Sequence, residues 1–258
     1  MPFSFVNLAR RDHTAQITFI AVPETPAHES DCAVELGEIA ETIINDHSIF
    51  VVTLLIDRAT NFSSVEHAEK VPAEIEDILD RGHLHSMAEQ IVVIDRPVIG
   101  GFTGALDGHI CEMALACDIR IMSHDASFSL SAIHQGLIPD NGGTQRLPRL
   151  VGKGKALELI LTGRSMSADE AFSTGLVHSV VDANDVAKIL ASLSSTVARQ
   201  APLSLRYAKE AVISGLDRPL EQALQLEADL YFLLHTTEDR TTGITSFLAK
   251  KDKAFTGQ

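Results

Sequence analysis

The sequence predicts an α/β domain with a largely parallel sheet, followed by a helical C-terminal region. Short strand-like segments alternate with segments of helical periodicity through the first half of the chain. Residues 49–57, IFVVTLLID, are an almost continuous apolar run, typical of a strand buried on both faces. Strand patterns become rare after about residue 152, where helical patterns dominate. We therefore expect an α/β core at 1–199 and a helical region at 200–258.

The elements of the core follow in chain order. Alternating or continuous apolar patterns predict strands at 16–22, 49–57, 95–104, 118–123 and 126–131. Apolar residues at helical spacing predict helices at 33–46, around Ile78 to Ile91, and from Gly108 onward. IPDNGG, at 138–143, is typical of a turn. The same helical spacing predicts the later helices at 153–163, 167–175, 183–200, 201–215 and 219–235.

Composition and charge limit the partners. The formal net charge is −14, and the chain has no tryptophan and two tyrosines, so we expect neither nucleic-acid nor membrane binding. The N-terminal residues lack a signal-peptide core, and no apolar run reaches the length of a membrane span. A cytoplasmic location is therefore expected. The three cysteines show no metal-ligand spacing, and we predict no metal site.

One residue conflicts with its surroundings. Glu112 lies in ICEMALAC, a segment that is apolar on every side of a helix. A buried carboxylate is costly unless it is paired or its pKa is raised. Either Glu112 performs acid–base chemistry, or it pairs with an arginine or a helix end.

Residues 95–180 contain RPVIGGFTGALDGHICEMALACDIRI and ASFSLSAIHQGLIPDNGGTQRLPRLVGKGKALELILTG, and residues 241–255 read TTGITSFLAKKDKAF. These stretches resemble the signature region of the enoyl-CoA hydratase/isomerase (crotonase) superfamily. This resemblance implies a crotonase-like spiral of ββα units with a C-terminal helical trimerisation region. It also implies a homotrimer or homohexamer acting in fatty acid metabolism on an acyl-CoA substrate, whose thioester enolate an oxyanion hole stabilises.

The resemblance assigns two backbone donors to that oxyanion hole. One is the N–H of His109, among the first residues of the Glu112 helix, where N–H groups lack intrahelical partners. The family usually has glycine there. The other is the N–H of Glu66 in NFSSVEH, where Val65 replaces the usual glycine. His67 follows in place of an aspartate and is a possible pocket residue.

The resemblance also implies the catalytic residues. Glu112 matches the first of two glutamates with which family hydratases hold and activate water. Ala132 occupies the position of the second glutamate and can carry no proton. Asp140 lies where some family isomerases have an acid, although an aspartate before Asn-Gly is also a common turn residue. His134 is either a pocket residue or an ordinary half-buried histidine.

For the CoA moiety, the resemblance points to residues near the oxyanion strand and at the C-terminus. Lysines suit its phosphates, and an aromatic ring suits adenine. The assigned residues are Ser64, Lys70, Lys250, Lys253 and Phe255. CoA is part of the substrate, so we expect no separate cofactor.

Four functions remain open from the sequence. The first is hydration of an α,β-unsaturated acyl-CoA, a lyase reaction with Glu112 as the principal acid–base residue. The second is enoyl- or dienoyl-CoA isomerisation by Glu112 and Asp140, and the third is C–C bond hydrolysis. The fourth is a catalytically degenerate acyl-CoA-binding homologue, which Val65, His109 and Ala132 favour and Glu112 disfavours.

Overall fold

The structure, a computed structural model, describes residues 3–21, 26–57, 86–251 and 253–258, with only the backbone of Pro26 and Ala27. The main sheet has six strands in the order β1-β2-β3-β4-β6-β9. The strands β1 and β2 pair antiparallel, and every later pair in this sheet is parallel. Its strands are β1 (Val6–Arg11), β2 (Thr14–Phe19), β3 (Val51–Asp57), β4 (Val98–Thr103), β6 (Ile119–Ser123) and β9 (Ser179–Val181).

A second, smaller sheet has three strands. Its order is β5-β7-β8, with β5 and β7 parallel and β7 and β8 antiparallel. The strands are β5 (Ala105–Asp107), β7 (Ser127–Ser129) and β8 (Met166–Ser167). Strand β5 follows β4 after a single residue and leads directly into a helix, Gly108–Ala116. In the chain, this helix therefore connects the smaller sheet to β6 of the main sheet.

Ten α-helices lie within the described residues. The first six are α1 (Pro26–Asn45), α2 (Met87–Val92), α3 (Gly108–Ala116), α4 (Gly143–Val151), α5 (Lys153–Thr162) and α6 (Ala168–Ser173). The last four are α7 (Val186–Ala198), α8 (Pro202–Leu216), α9 (Leu220–Leu234) and α10 (Glu238–Ala249). Short 3₁₀ helices occur at Ser131–Gln135 and Ala183–Asp185.

The main sheet is covered on both faces, as the apolar run at 49–57 predicts. Val52 and Leu54 of β3 belong to the main core cluster, which also contains buried residues of α1, α2 and α3. Val51 belongs to a second cluster with Ile99 and Leu190, the last on α7. Alternate residues of one strand thus enter opposite cores, because side chains alternate across a sheet.

The helix α3 is fixed at its C-terminal end by a buried arginine. Arg120 on β6 is 4% exposed. Its guanidinium donates to the carbonyls of Cys117 and Leu176, the latter at 2.6 Å. A cation that caps the last carbonyls of a helix is stabilising, so α3 is held in place where it leaves the core.

The fold class is confirmed, with corrections to individual elements. The predicted strand 16–22 lies at Thr14–Phe19, and the predicted strand 126–131 is limited to Ser127–Ser129. The strands β1, β5, β8 and β9 and the helix α4 have no counterpart among the predicted elements. The part of the predicted helix before residue 86 lies outside the described residues. The boundary between residues 199 and 200 stays a prediction. No described helix is both long and apolar enough to cross a membrane.

Candidate active site

The N-terminus of α3 opens the site. Gly108, its first residue, has φ +56°, a left-handed conformation that glycine adopts without strain. The preceding Asp107 occupies the N-cap position without a side-chain cap bond. Its carboxylate instead accepts hydrogen bonds from the Ser129 hydroxyl at 2.8 Å and the Ser131 N–H at 3.1 Å. The strand-to-helix turn is therefore tied to β7, and the first N–H groups of α3 do not receive the usual cap from that side chain.

Glu112 is buried in α3, with 1% of the residue exposed. Its Oε1 accepts hydrogen bonds from the N–H of Asn141 at 2.9 Å and the N–H of Gly143 at 2.7 Å. Gly143 is the first residue of α4, so the expected alternative of pairing with a helix end is present. Burial nevertheless raises the pKa of Glu112 above its ordinary value, against the opposing effect of these N–H donors. A raised pKa suits acid–base chemistry near neutral pH.

The imidazole of His109 is held at both nitrogens. Its Nε2 lies 2.7 Å from Asp140 Oδ1, and its Nδ1 lies 2.8 Å from Glu29 Oε1 on α1. Burial alone would lower the pKa of His109, but the hydrogen bonds to Asp140 and Glu29 outweigh it and raise the pKa to about 10. The ring is thus an imidazolium at neutral pH. Conversely, the His109 hydrogen bond lowers the pKa of Asp140.

These side chains form one cluster. One ligand-type atom from each of His109, Glu112 and Asp140 lies within 4.8 Å of the other two. Such spacing would also suit a metal ion. However, a ligating imidazole must offer a lone pair, and here both ring nitrogens face carboxylates at hydrogen-bond distance. The arrangement therefore fits proton chemistry better than metal ligation, and the absence of a metal stays a prediction.

The other predicted site residues separate into three groups. Ala132 lies on the 3₁₀ helix at Ser131–Gln135 and brings no ionisable group. His134, on the same helix, is exposed, and its Nε2 would lie 2.5 Å from a Cβ added to Gly163. This position at the end of α5 does not support a pocket role for His134. The third group, Ser64, Glu66, His67 and Lys70, lies outside the described residues.

Two of the three C-terminal residues predicted to bind CoA, Lys253 and Phe255, lie next to each other. The Lys253 Nζ lies 4.9 Å from the centroid of the Phe255 ring, within the range of a cation–π contact. The Lys253 ammonium also donates to Gln200 Oε1 at 3.3 Å. Lys250 is exposed and caps α10 with φ +51°. Lys253 and Phe255 therefore form a basic and aromatic pair, and Lys250 lies at the C-terminal end of α10.

Two residues that contact the cluster are not predicted from the sequence. Glu29 lies on α1, far from α3 in the chain, and no local pattern signals its contact with His109. The sequence predicts Gly143 only as part of a turn, yet a Cβ there would lie 2.8 Å from Glu112 Oε1. The IPDNGG segment could have suggested this role, because a glycine beside a candidate acid permits close backbone approach.

A family model for enoyl-CoA hydratase/isomerase matches residues 11–258. A short-chain-enoyl-CoA hydratase of Clostridium acetobutylicum is 29% identical over 257 residues, covering 97% of each chain. A crotonyl-CoA hydratase of Syntrophomonas wolfei is 36% identical over 165 residues, covering 64% of this chain and 64% of that protein. The crystal structure of an enoyl-CoA hydratase from Bacillus anthracis superposes with a TM-score of 0.86 at 29% identity, covering 99% of this chain and 100% of that one.

Proposed function

The chain belongs to the enoyl-CoA hydratase/isomerase family, and we propose that it hydrates an α,β-unsaturated acyl-CoA with Glu112 as the principal acid–base residue. The observation that carries this proposal is the pair of carboxyl groups on Glu112 and Asp140, whose oxygens approach within 4.8 Å. A water molecule hydrogen-bonded to both, at about 2.8 Å each, spans such a gap. Asp140 thus supplies the second carboxyl that Ala132 cannot.

The N-terminus of α3 supplies electrostatic stabilisation. Addition of water to Cβ moves the π electrons toward the thioester carbonyl, which becomes an enolate oxygen. The N–H of His109, at the second position of α3, is proposed as a donor to that oxygen. Each such donor contributes about 3–4 kcal/mol to the transition state. The partner donor assigned by the resemblance, the N–H of Glu66, lies outside the described residues.

The proton balance of hydration needs two groups. One carboxylate removes a proton from water while the water oxygen bonds to Cβ, and one acid delivers a proton to Cα of the enolate. Glu112 and Asp140 have opposite environments, one buried and one ion-paired. Pairs of carboxyls whose pKa values are pushed apart are typical of acid–base machinery.

Isomerisation of an enoyl-CoA double bond is the second candidate. It moves one proton along the acyl chain and needs no held water. The replacement of the family's second glutamate by Ala132 favours it, because the remaining acids resemble the pattern of family isomerases.

The test is turnover of crotonyl-CoA, the substrate in the name of the Syntrophomonas relative, by wild type and Glu112→Gln. Glutamine keeps the shape of the side chain and removes its basicity, so kcat should fall about 10²–10⁴-fold with little change in affinity. Hydration is followed by loss of the ultraviolet absorbance of the conjugated thioester. Full activity in Glu112→Gln would refute acid–base catalysis by this residue. Wild type that converts 3-butenoyl-CoA to crotonyl-CoA without hydrating it would establish isomerisation instead.

The proposal extends to CoA recognition and assembly. Lys253 and Phe255 are proposed to bind a phosphate and the adenine of CoA.

Helices α8 to α10 expose large apolar side chains, among them Leu216 at 77%, Phe232 at 71% and Phe247 at 84%. Such exposure favours self-association, and we propose a homotrimer or homohexamer, which light scattering would distinguish from a monomer. The cytoplasmic location and the role in fatty acid metabolism stay predictions.

A further inference from the structure

The His109 side chain has a position that its backbone role does not require. An oxyanion donor needs only the N–H of residue 109, and glycine is usual there. In this chain the imidazole instead connects α1 to the 139–143 segment through Glu29 and Asp140. Its side chain is 24% exposed, whereas the Asp140 side chain is 71% exposed. A more buried cation therefore anchors a more exposed carboxylate beside Glu112.

The two carboxyls of the cluster are held by different kinds of donor. Asp140 Oδ1 receives a charged donor, His109, and the side-chain amide of Asn141 at 3.1 Å. Both contacts favour its ionised form. From the part of the chain that the structure describes, Glu112 receives hydrogen bonds only from backbone N–H groups, and it lies in an apolar helix. Both of these hydrogen bonds go to Oε1, and no described residue donates one to Oε2. Oε2 is therefore available to carry and deliver a proton.

We propose that His109, anchored by Glu29, is a positioning residue that divides the chemistry between the two carboxyls. Asp140 is the base that takes the proton of the attacking water, and Glu112 is the acid that protonates Cα. This assignment rests on the hydration proposed above and deepens it.

The step balances without any further reactant. The O–H bond of water breaks and its proton goes to the Asp140 carboxylate, while the oxygen bonds to Cβ. The π pair moves to the enolate, and Cα then takes the proton of the Glu112 carboxyl. Asp140 is left protonated and Glu112 ionised. Transfer of one proton from Asp140 to Glu112 through the next water, across at most 4.8 Å, restores both groups.

The charges around the cluster support this division. Among the described residues, Asp140 and Glu29 act most strongly on the charge of His109, and His109 and Asp140 are the ionisable groups that act most strongly on Glu112. The imidazolium lowers the pKa of Asp140, while burial dominates and raises that of Glu112. Removal of the His109 charge should therefore affect the water-activating step most strongly.

The experiment separates the two proton transfers. Enolisation of butyryl-CoA, a saturated thioester, exchanges its α-protons with solvent deuterium and needs no water attack at Cβ. Exchange is measured by mass spectrometry, and hydration of crotonyl-CoA by absorbance. The variants are Glu112→Gln, Asp140→Asn, His109→Gln and Glu29→Gln. The control is His124→Gln, which removes an exposed histidine 3.9 Å from Asp169, outside the cluster.

The expected pattern differs between the two assays. Glu112→Gln should lose both activities by about 10²–10⁴-fold. Asp140→Asn should lose hydration by a similar factor while retaining exchange to within about tenfold. His109→Gln should lower hydration by about 10–100-fold and move the acidic limb of the pH profile of kcat/KM to higher pH, because Asp140 then protonates more readily. Glu29→Gln should shift that limb in the same direction by less, and His124→Gln should leave both assays unchanged.

Two results would overturn the assignment. If Asp140→Asn loses exchange as strongly as Glu112→Gln does, both carboxyls act at Cα and the division is wrong. If His109→Gln leaves the acidic limb in place, His109 does not control the base. Failure of the proposed function itself looks different, since wild type would then exchange α-protons without hydrating crotonyl-CoA, and a water-activating role for Asp140 would fall with it.

Discussion

The contact between Gly143 and Glu112 allows a test that leaves every ionisable group in place. A Cβ added to Gly143 would lie 2.8 Å from Glu112 Oε1, 3.0 Å from Pro139 Cβ and 3.2 Å from Glu112 Cγ. Gly143 does not have positive φ, so Gly143→Ala is free of backbone strain and acts through these close contacts with Glu112 and Pro139. An ordinary contact begins near 3.4 Å, so the carboxylate must withdraw by roughly half an ångström or more.

The expected cost of that displacement is mainly catalytic. A misplacement of about 1 Å can lower a rate about 10²-fold, and half of that distance predicts a decrease in kcat of about 10–100-fold. Overpacking should lower the free energy of unfolding by about 1–3 kcal/mol, which leaves the protein folded. Because the Gly143 N–H lowers the pKa of Glu112, weakening this bond raises that pKa. With Glu112 as the acid, the alkaline limb of the pH profile should then move to higher pH.

The assay compares kcat, KM and thermal unfolding for Gly143→Ala and a matched control. Gly154→Ala adds the same methyl group at the start of α5, where nothing lies within 4 Å of the new Cβ. The control should keep wild-type kinetics and gain up to about 1 kcal/mol of stability from helix propensity. Wild-type kcat in Gly143→Ala, with the protein folded, would show that this contact does not set the position of the catalytic carboxyl.

Three further predictions follow from other contacts. The pKa of His109 is raised from 6.5 to about 10 on folding, so the stabilisation from its charge is full below pH 6.5 and is lost as the pH rises to about 10. In urea titrations, the difference in free energy of unfolding between wild type and His109→Gln should shrink over that range. A constant difference would contradict this prediction. Asp239 is 2% exposed and accepts hydrogen bonds from the N–H groups of Thr256 and Gly257, both at 2.8 Å, so it anchors the C-terminal residues to α10. Asp239→Ala should therefore increase hydrogen exchange at these two amides and weaken binding of acyl-CoA. Unchanged protection of the amides would exclude this anchoring role. Lys253→Gln should weaken calorimetric binding of butyryl-CoA about 2–10-fold at low salt and less at high salt, because salt screens charge contacts; equal losses at both salt concentrations would argue against a phosphate contact.

The parts of the fold that the sequence predicted are those with local signals. The residues of β3 are almost all apolar on both faces, and α3 carries a run of buried, mostly apolar residues from Ile110 to Leu115. By contrast, β1 reads VNLARR and ends in two arginines. It lies at the edge of the sheet formed by the described strands, where polar and charged residues are common. The helix α4 begins with glycine and contains Pro148, both unfavourable in an isolated helix, so its formation depends on tertiary contacts.

The same distinction between local signals and tertiary contacts applies to the residues of the candidate site. Glu112 could be singled out from its apolar surroundings, and Asp140 and the His109 N–H from the family resemblance. The side-chain contacts of His109 could not be predicted, since Glu29 lies on a separate helix and Asp140 in a loop. An ion pair between distant segments leaves no periodic pattern in a sequence. Its partners become visible only when the fold brings α1, α3 and the 139–143 segment together.

The two explanations considered for Glu112, a structural contact and a catalytic acid, are compatible in this geometry. A purely structural glutamate at a helix end gains most from being ionised, because N-terminal N–H groups favour a negative charge. Glu112 makes such a contact with Gly143, yet burial still raises its pKa. The contact therefore orients Oε1 toward α4 without fixing the carboxyl in its charged form, and Oε2 can alternate between proton-bearing and proton-free states. Orientation by one oxygen and proton transfer by the other is what a buried acid needs to act repeatedly on a substrate.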